Sequence, residues 1–323
     1  MSGPEIPAKP VNMTVAVVGA GAVGCYFGGM LARAGVPVTL IGRRTHVEAM
    51  AAEGLLLERL GSRERLRVSA STEIAAARGA QLVLVCVKAV DTEDLARTLQ
   101  PNLSAGSAVL SLQNGVDNVE RMREAAQIDA IPAVVYVAAA MAGPGHVKHS
   151  GRGDLIVGRL PGQGEAVPRP ARTDLEALAR LFESAQIPCR VSPDIRTELW
   201  TKMVLNCAYN AISALGRARY EHLIRTPAIR ELMKQVVEET LAVARAEAVS
   251  LSATEVLEAT YRLGEAMPNA TSSTAQDIAR GKPTEIDSLN GLVVRRGQAK
   301  GVPTPVNFAL HTLVKLLERG EAR

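Results

Sequence analysis

The chain has 323 residues, of which 47% are hydrophobic, which is ordinary globular composition but more chain than one core usually organises, so two domains are expected. The formal charge of +4 comes from Lys and Arg scattered without a basic run; this argues against a nucleic-acid partner and fits small anionic ligands. Cys25, Cys86, Cys189 and Cys207 lie far apart with no C-x-x-C pair and in apolar surroundings, which predicts buried thiols in a reducing compartment.

In chain order, residues 1–12 contain Glu5 and three prolines but no basic region followed by an apolar one, and are expected to be a disordered leader, not a secretory signal. The first half then alternates short β-branched runs with amphipathic segments, the pattern of a doubly wound parallel sheet. Strands are predicted at Val15 to Val18, Val38 to Ile41, Leu82 to Val87, Ala108 to Leu112 and Ala133 to Ala139. A hairpin is predicted over Gly145 to Val157, turning at Gly151-Arg152-Gly153 and extending the sheet in the antiparallel sense. Leu160 to Arg172, rich in Pro, Gly and charge, reads as a surface loop, and Ile187 to Val191 as one more strand. The longest apolar stretch, Ile131 to Ala142, has 12 residues, whereas a membrane span needs about 20, so a cytoplasmic protein with no membrane association is expected.

From Ser192 onward the periodicity is helical. Ser192-Pro193 reads as N-cap and first helical position of a helix running through Leu215. Further helices are predicted near Pro227 to Ala248, Ala253 to Glu265, Glu285 to Ala299 and Val306 to Arg319. The expected architecture is therefore α/β, with an N-terminal Rossmann doubly wound domain over 13–192 and an all-helical domain over 193–323.

The first chemical motif is Gly19-Ala20-Gly21-Ala22-Val23-Gly24, directly after the first strand and at the start of a helix reaching Ala34. Gly19 permits the tight turn, Gly21 lets the backbone approach a pyrophosphate, and Gly24 lets helix and strand pack closely. A lone G-x-G-x-x-G is weak, but a strand beginning 14 residues after Gly24 makes the dinucleotide fingerprint strong. The second strand ends in Gly42-Arg43-Arg44 without the carboxylate that would bond the ribose of NAD; Arg43 can instead pair with the 2′-phosphate of NADP(H), unless both arginines are simply solvated. Lys88 and Asn114 follow the apolar strands Leu82 to Val87 and Ala108 to Leu112, where open α/β sheets place ligands. Taken singly they also read as a surface charge and a turn residue.

Lys202, Asn206 and Asn210 are spaced i, i+4, i+8 on one face of an otherwise apolar helix. Asparagine is a poor helix former and needs partners when buried, so the stripe is either a functional face or a structural hydrogen-bond ladder. Asn269 to Ile278 brings a hydroxyl cluster, Thr271 to Thr274, and Lys282 to Gly291 brings Glu285 and Asp287, either of which can sit beside the lysine. Both segments equally suit helix caps. His146 and His149 do not form a metal pair on a strand, where residues three apart face opposite sides, and no metal is expected.

The order Gly-Ala-Gly-Ala-Val-Gly, Val-Lys-Ala, Gln-Asn-Gly-Val, Gly-His-Val-Lys-His-Ser-Gly-Arg-Gly, Trp-Thr-Lys with Asn at +4 and +8, then Gln-Asp-Ile and Thr-Glu-Ile-Asp with Asn-Gly, resembles the ketopantoate reductase family over 13 to about 315. The resemblance implies NADPH and a 2-keto acid in a cleft between a Rossmann and a helical domain, in a homodimer. It implies Lys202 as general acid, Glu285 as its partner and a contact of substrate and cofactor, Asn206, Asn210 and Ser273 as substrate ligands, and Lys88 and Asn114 beside the cofactor and the reacting centre. Carbonyl reduction supports Lys202 independently, because a ketone needs hydride at carbon and a proton at oxygen, and an ammonium also attracts a carboxylate. The alternatives are reduction of a different, bulky or aromatic 2-keto acid on the same scaffold, and a noncatalytic NADPH sensor, for which a positioned proton donor has no use.

Overall fold

The computed structural model of the chain describes residues 13–163 and 173–320, so the expected leader over 1–12 and most of the predicted loop at Leu160 to Arg172 lie outside the described residues. The chain forms two units. One is built from residues up to 195 without 114–116, and the other from 196 onward together with Asn114–Val116.

In the first unit, β1 (Val15–Val18), β2 (Val38–Ile41), β5 (Ser69–Ser71), β6 (Leu82–Val85), β7 (Ala108–Ser111) and the start of β8 (Ile131–Gly143) are parallel, in the order β5-β2-β1-β6-β7-β8. This is the doubly wound order, with the reversal between β1 and β6. Residues of β1, β6 and β7 are buried throughout, as strands covered on both faces must be. Their alternation sorts the core into two layers. Val15, Val17, Leu82, Leu84 and Leu110 face α1 (Ala22–Arg33) and α5 (Leu175–Ser184), while Ala16, Val18, Val83, Val85 and Val109 face α3 (Thr92–Leu99) and α4 (Asn118–Ala126).

The sheet continues beyond β8 in a mixed arrangement. β9 (His146–Val157) runs antiparallel to β8 as one strand of 12 residues, so the hairpin turn lies at Pro144-Gly145 and not at Gly151-Arg152-Gly153. The glycines that look like a turn serve an irregularity inside β9, where Tyr136↔Asp154 is followed by Val137↔Arg152 and Arg152 takes φ 52°. The far edge of β9 pairs with β3 (Leu55–Arg59) near its start and with β10 (Cys189–Val191) at its end, and β4 (Ser62–Leu66) closes the sheet against β3. The β3–β4 hairpin and β5 were not anticipated, because Leu-Glu-Arg and Ser-Arg-Glu-Arg carry charge where strand signals are apolar. That charge suits an edge.

In the second unit α6 (Ile195–Gly216) is the long helix expected, but it starts three residues beyond the Ser192 cap predicted for it. Ser192 Oγ instead accepts from Asp194 N at 3.2 Å, a local turn ahead of the helix. α7 (Tyr220–Arg225), α8 (Pro227–Ala246), α9 (Ala253–Ala266), α10 (Ser273–Ala279), α11 (Asn290–Lys300) and α12 (Pro305–Gly320) follow, with α8 packed against α7, α9, α11 and α12. The helix expected from Glu285 begins only at Asn290. Residues 286–288 make a 3₁₀ turn, and Leu289 (φ −110°, ψ −108°) breaks continuity, leaving Glu285 outside regular helix. No helix among the described residues is long and apolar enough to cross a membrane.

Candidate active site

The glycine motif links β1 to α1. Gly19 has φ +107°, and a Cβ there would lie 2.6 Å from the backbone of Cys86, just past β6; Gly24 has Gly19 O at 2.2 Å from an ideal Cβ. Both positions therefore require glycine for folding. Gly21 differs, since nothing lies within 4 Å of a Cβ built there, which leaves open space directly over the loop. The first turn of α1 has no side-chain cap and no acidic residue, and its leading N–H groups have no intrahelical acceptor. An open, amide-lined helix start at the reversal point of the sheet fits a dinucleotide pyrophosphate.

At the end of β2, Gly42 approaches Ala20 so closely that a Cβ would meet the Ala20 methyl at 2.6 Å. Arg43 and Arg44 are exposed and make no ion pair with a described residue. Lys88 is half-buried immediately after the β6 end, within three residues of its last strand residue.

The helical unit holds a second group. α6 buries Trp200, Met203, Val204, Cys207, Ala208 and Ala211, and the Lys202, Asn206, Asn210 stripe lies among them, with Asn210 itself buried. Lys202 Nζ donates to Asn114 Oδ1 at 2.8 Å, and Asn114 Nδ2 donates to Glu285 Oε2 at 3.0 Å. An ammonium only donates and a carboxylate only accepts, so these two neighbours fix the orientation of the Asn114 amide. The bridge joins three of the predicted site residues from distant parts of the chain. Asp287, the other candidate for the lysine's neighbour, turns away to His311 and Lys315 on α12.

Further along α6, Asn210 Nδ2 lies 3.5 Å from Ser273 Oγ, a long contact that leaves both groups with spare capacity. Ser272 brings them together. Its Oγ donates to Asn210 O at 3.1 Å while accepting Ala275 N at 3.0 Å, so it caps α10 and docks that helix on α6. In the hydroxyl cluster, Ser272 is thus the cap, while the exposed Ser273 has its hydroxyl beside the Asn210 amide. Asn206 is half-buried and makes no side-chain hydrogen bond with a described residue. Burial drives the Cys207 thiol up, so it stays protonated and does not compete as an acid or nucleophile at neutral pH.

His146 pairs with Glu58 of β3 at 2.9 Å, whereas His149 stacks on Tyr26 of α1 with centroids 4.3 Å apart, so the two serve different neighbours. Chemically, the Lys202–Asn114–Glu285 bridge is a positioned ammonium with a carboxylate one amide away, suited to supplying a proton and attracting an anion.

The family model described as Ketopantoate reductase PanE/ApbA matches residues 15–162, and its C-terminal companion matches 194–318. The chain belongs to the ketopantoate reductase family. These reductases are oxidoreductases acting on a CH–OH group. A 2-dehydropantoate 2-reductase of Halobacterium salinarum is 32% identical, covering 95% of this chain and 99% of that protein. The crystal structure of a PanE/ApbA family ketopantoate reductase from Ralstonia eutropha superposes with TM-score 0.88 at 48% identity, covering 96% of this chain and 100% of that one. A D-mandelate dehydrogenase in ternary complex with NADH and anilino(oxo)acetate is also similar, with TM-score 0.87 and 25% identity over 95% of this chain and 99% of that one. In this ketopantoate reductase family member, the features that sequence reasoning missed are the bridging place of Asn114 and the segment around Glu285, whose partners on α12 lie about 30 residues downstream. No local pattern carries that pairing.

Proposed function

We propose that this protein reduces 2-dehydropantoate to pantoate with NADPH, a step of pantothenate biosynthesis, with Lys202 as general acid. The observation that carries the reading is the Lys202–Asn114–Glu285 bridge in a chain of this family. When bound, the nicotinamide supplies the hydride to the carbonyl carbon. The residues do the rest. The Lys202 ammonium attracts the substrate carboxylate, stabilises negative charge developing on the carbonyl oxygen and transfers its proton there, so ketone, NADPH and one proton become alcohol and NADP⁺. Asn114 holds the ammonium in place, and Glu285 orients Asn114 and contacts substrate and cofactor. Asn206, Asn210 and Ser273 bind the substrate's polar groups, Asn206 with an amide that no described residue uses.

Gly19, Ala20, Gly21, Ala22, Val23 and Gly24 cradle the pyrophosphate of the cofactor, Lys88 lies beside it, and Arg43 pairs with the 2′-phosphate. The absence of a carboxylate after β2 and the exposed position of Arg43 support NADPH over NADH. The reading places the enzyme in the cytoplasm, as a homodimer; buried reduced thiols at Cys25, Cys189 and Cys207 are in keeping with that compartment.

A second reading, reduction of an aromatic 2-keto acid, is favoured by the D-mandelate dehydrogenase likeness, since mandelate is an aromatic 2-hydroxy acid. The test follows NADPH and NADH absorbance against a panel of 2-keto acids that includes 2-dehydropantoate and phenylglyoxylate. Preference for 2-dehydropantoate with NADPH supports the first reading. Preference for phenylglyoxylate replaces it with the second, and cofactor binding with no turnover on any 2-keto acid overturns both.

A further inference from the structure

Glu285 sits where no regular element holds it. Its backbone (φ −101°, ψ 19°) lies between an exposed Gly-Lys-Pro stretch and a 3₁₀ turn, yet its carboxylate must meet Asn114 at 3.0 Å. The residues on either side of it are held instead. Thr284 is 7% exposed, and both its N–H and its Oγ–H donate to Glu318 Oε1, at 2.8 and 2.6 Å. The same Thr284 Oγ accepts Ile286 N at 3.2 Å, closing a turn around Glu285. On the other side, Asp287 accepts from His311 Nε2 at 2.7 Å and Lys315 Nζ at 2.9 Å, and Lys315 also reaches Glu318 Oε2 at 2.8 Å. His311, Lys315 and Glu318 stand at i, i+4 and i+7 on one face of α12.

The helix that carries this face is itself fixed. Glu239 of α8 accepts Val306 N and Asn307 N at 2.8 and 2.9 Å, a carboxylate on the helix start, and Asn307 Oδ1 accepts Asn290 Nδ2 at 2.9 Å. Residues 284 to 290 are therefore tied to α12 before Glu285, after it, and again at the start of α11. Surface ion pairs of the Asp287–Lys315 kind contribute little to stability, with side chains 53% and 36% exposed, so stability is a weak reason for the arrangement. Its geometry points elsewhere.

We propose that α12 is a clamp for Glu285, with Glu318 as its principal positioning residue and Lys315 and His311 as its support. The clamp sets where the Glu285 carboxylate lies, and through Asn114 where the Lys202 ammonium lies. The inference rests on Glu285 having the role given to it under the proposed function. Displacing a catalytic group by about 1 Å costs up to about 100-fold in rate, so loss of the clamp should appear in kcat.

The experiment compares wild type, Glu318→Ala, Glu318→Gln, Lys315→Met, Glu285→Gln and Glu318→Ala with Glu285→Gln combined. It uses NADPH and whichever 2-keto acid of the panel the wild type reduces best, and reads kcat, NADPH Kd and Tm. Glu318→Ala should lower kcat about 10- to 100-fold with NADPH Kd unchanged. Glu318→Gln, which keeps an acceptor for Thr284, should recover most of that loss. Lys315→Met removes the half-buried ammonium that bonds Asp287 and Glu318, and should lower kcat in the same direction by a smaller factor, with Tm reporting any effect on the fold. In the Glu285→Gln background, Glu318→Ala should lower kcat no further, because both act through one carboxylate. A normal kcat in Glu318→Ala, or losses that multiply in the double variant, overturns the clamp while leaving Glu285 in place. A normal kcat in Glu285→Gln alone removes Glu285 from the mechanism, and the clamp with it.

Discussion

Replacing Lys202 by alanine removes two things at once. The first is a charge-assisted hydrogen bond to Asn114 at 2.8 Å, of a class whose loss costs about 1.5–3 kcal/mol. The second is the proton donor, and losing a general acid costs about 10²–10⁴ in rate, or about 2.7–5.4 kcal/mol at 1.36 kcal/mol per tenfold. The two overlap, because the same ammonium stabilises the developing oxyanion, so kcat should fall about 10²–10⁴-fold and not by the product. Lys202→Arg separates the terms. A guanidinium keeps the positive charge but scarcely releases a proton near neutral pH, so it should restore substrate binding better than kcat. Stopped-flow NADPH consumption gives kcat and kcat/KM, fluorescence titration gives cofactor affinity, and thermal melting reports the fold. Lys202 is half-buried on a helix whose apolar packing is made by other residues, so Tm should fall by no more than the lost Asn114 hydrogen bond accounts for. A Lys202→Ala enzyme with kcat within about threefold of wild type would refute the assignment and turn attention to Lys88.

Arg43→Ala should weaken NADPH binding by about 1.5–3 kcal/mol and leave NADH binding almost unchanged; equal losses in titrations with both cofactors would detach Arg43 from the 2′-phosphate. Gly21→Ala, whose Cβ enters open space, should keep Tm yet lose dinucleotide affinity, whereas Gly24→Ala, with Gly19 O at 2.2 Å, should lower Tm. A Gly21→Ala protein that binds cofactor normally would show the open space is not the pyrophosphate site. Burial alone would raise the Asp287 carboxyl, but hydrogen bonds from His311 and Lys315 outweigh it and hold it below the usual carboxylate range. A carboxyl depressed in the folded state stabilises above its unfolded pKa of about 3.9 and loses that contribution as pH falls through the folded value. The Tm gap between wild type and Asp287→Asn should therefore be full near neutral pH and close below about pH 4; a gap independent of pH would show that the ion pairs contribute nothing.

The parallel core of the sheet was legible because Val-Ala-Val-Val and Leu-Val-Leu-Val are too apolar for anything but strands covered on both faces. The glycine motif was legible for a related reason, since its spacing encodes backbone conformation directly. The β9 error has a physical source. Gly-Arg-Gly satisfies the local rules for a turn equally well as it satisfies those for an irregular strand, and only pairing with β8, invisible locally, selects the second. In the candidate site, the i, i+4, i+8 stripe on α6 showed which side chains share a face. That Asn114 would bridge Lys202 and Glu285, and that Asp287 would be taken by α12, depends on contacts across 88, 171 and 28 residues. Short-range periodicity cannot register such contacts.

β9 has a consequence for how the first unit assembles. β8 covers one edge, but the other is shared end to end, by β3 at His146 to Lys148 and by β10 at Leu155 to Val157. The two halves are supplied from opposite directions along the chain, since Leu56 precedes its partner His146 by 90 residues while Cys189 follows Leu155 by 34. The hairpin with β8 is local and closes early at little entropic cost, whereas each outer neighbour has to wait for a long loop. Between them, residues 149–154 have no strand on that edge among the described residues. That stretch is a seam. In native-state hydrogen exchange its amides should open in small local fluctuations, while those of β1 and β6, enclosed on both edges and both faces, should exchange only when the whole unit unfolds.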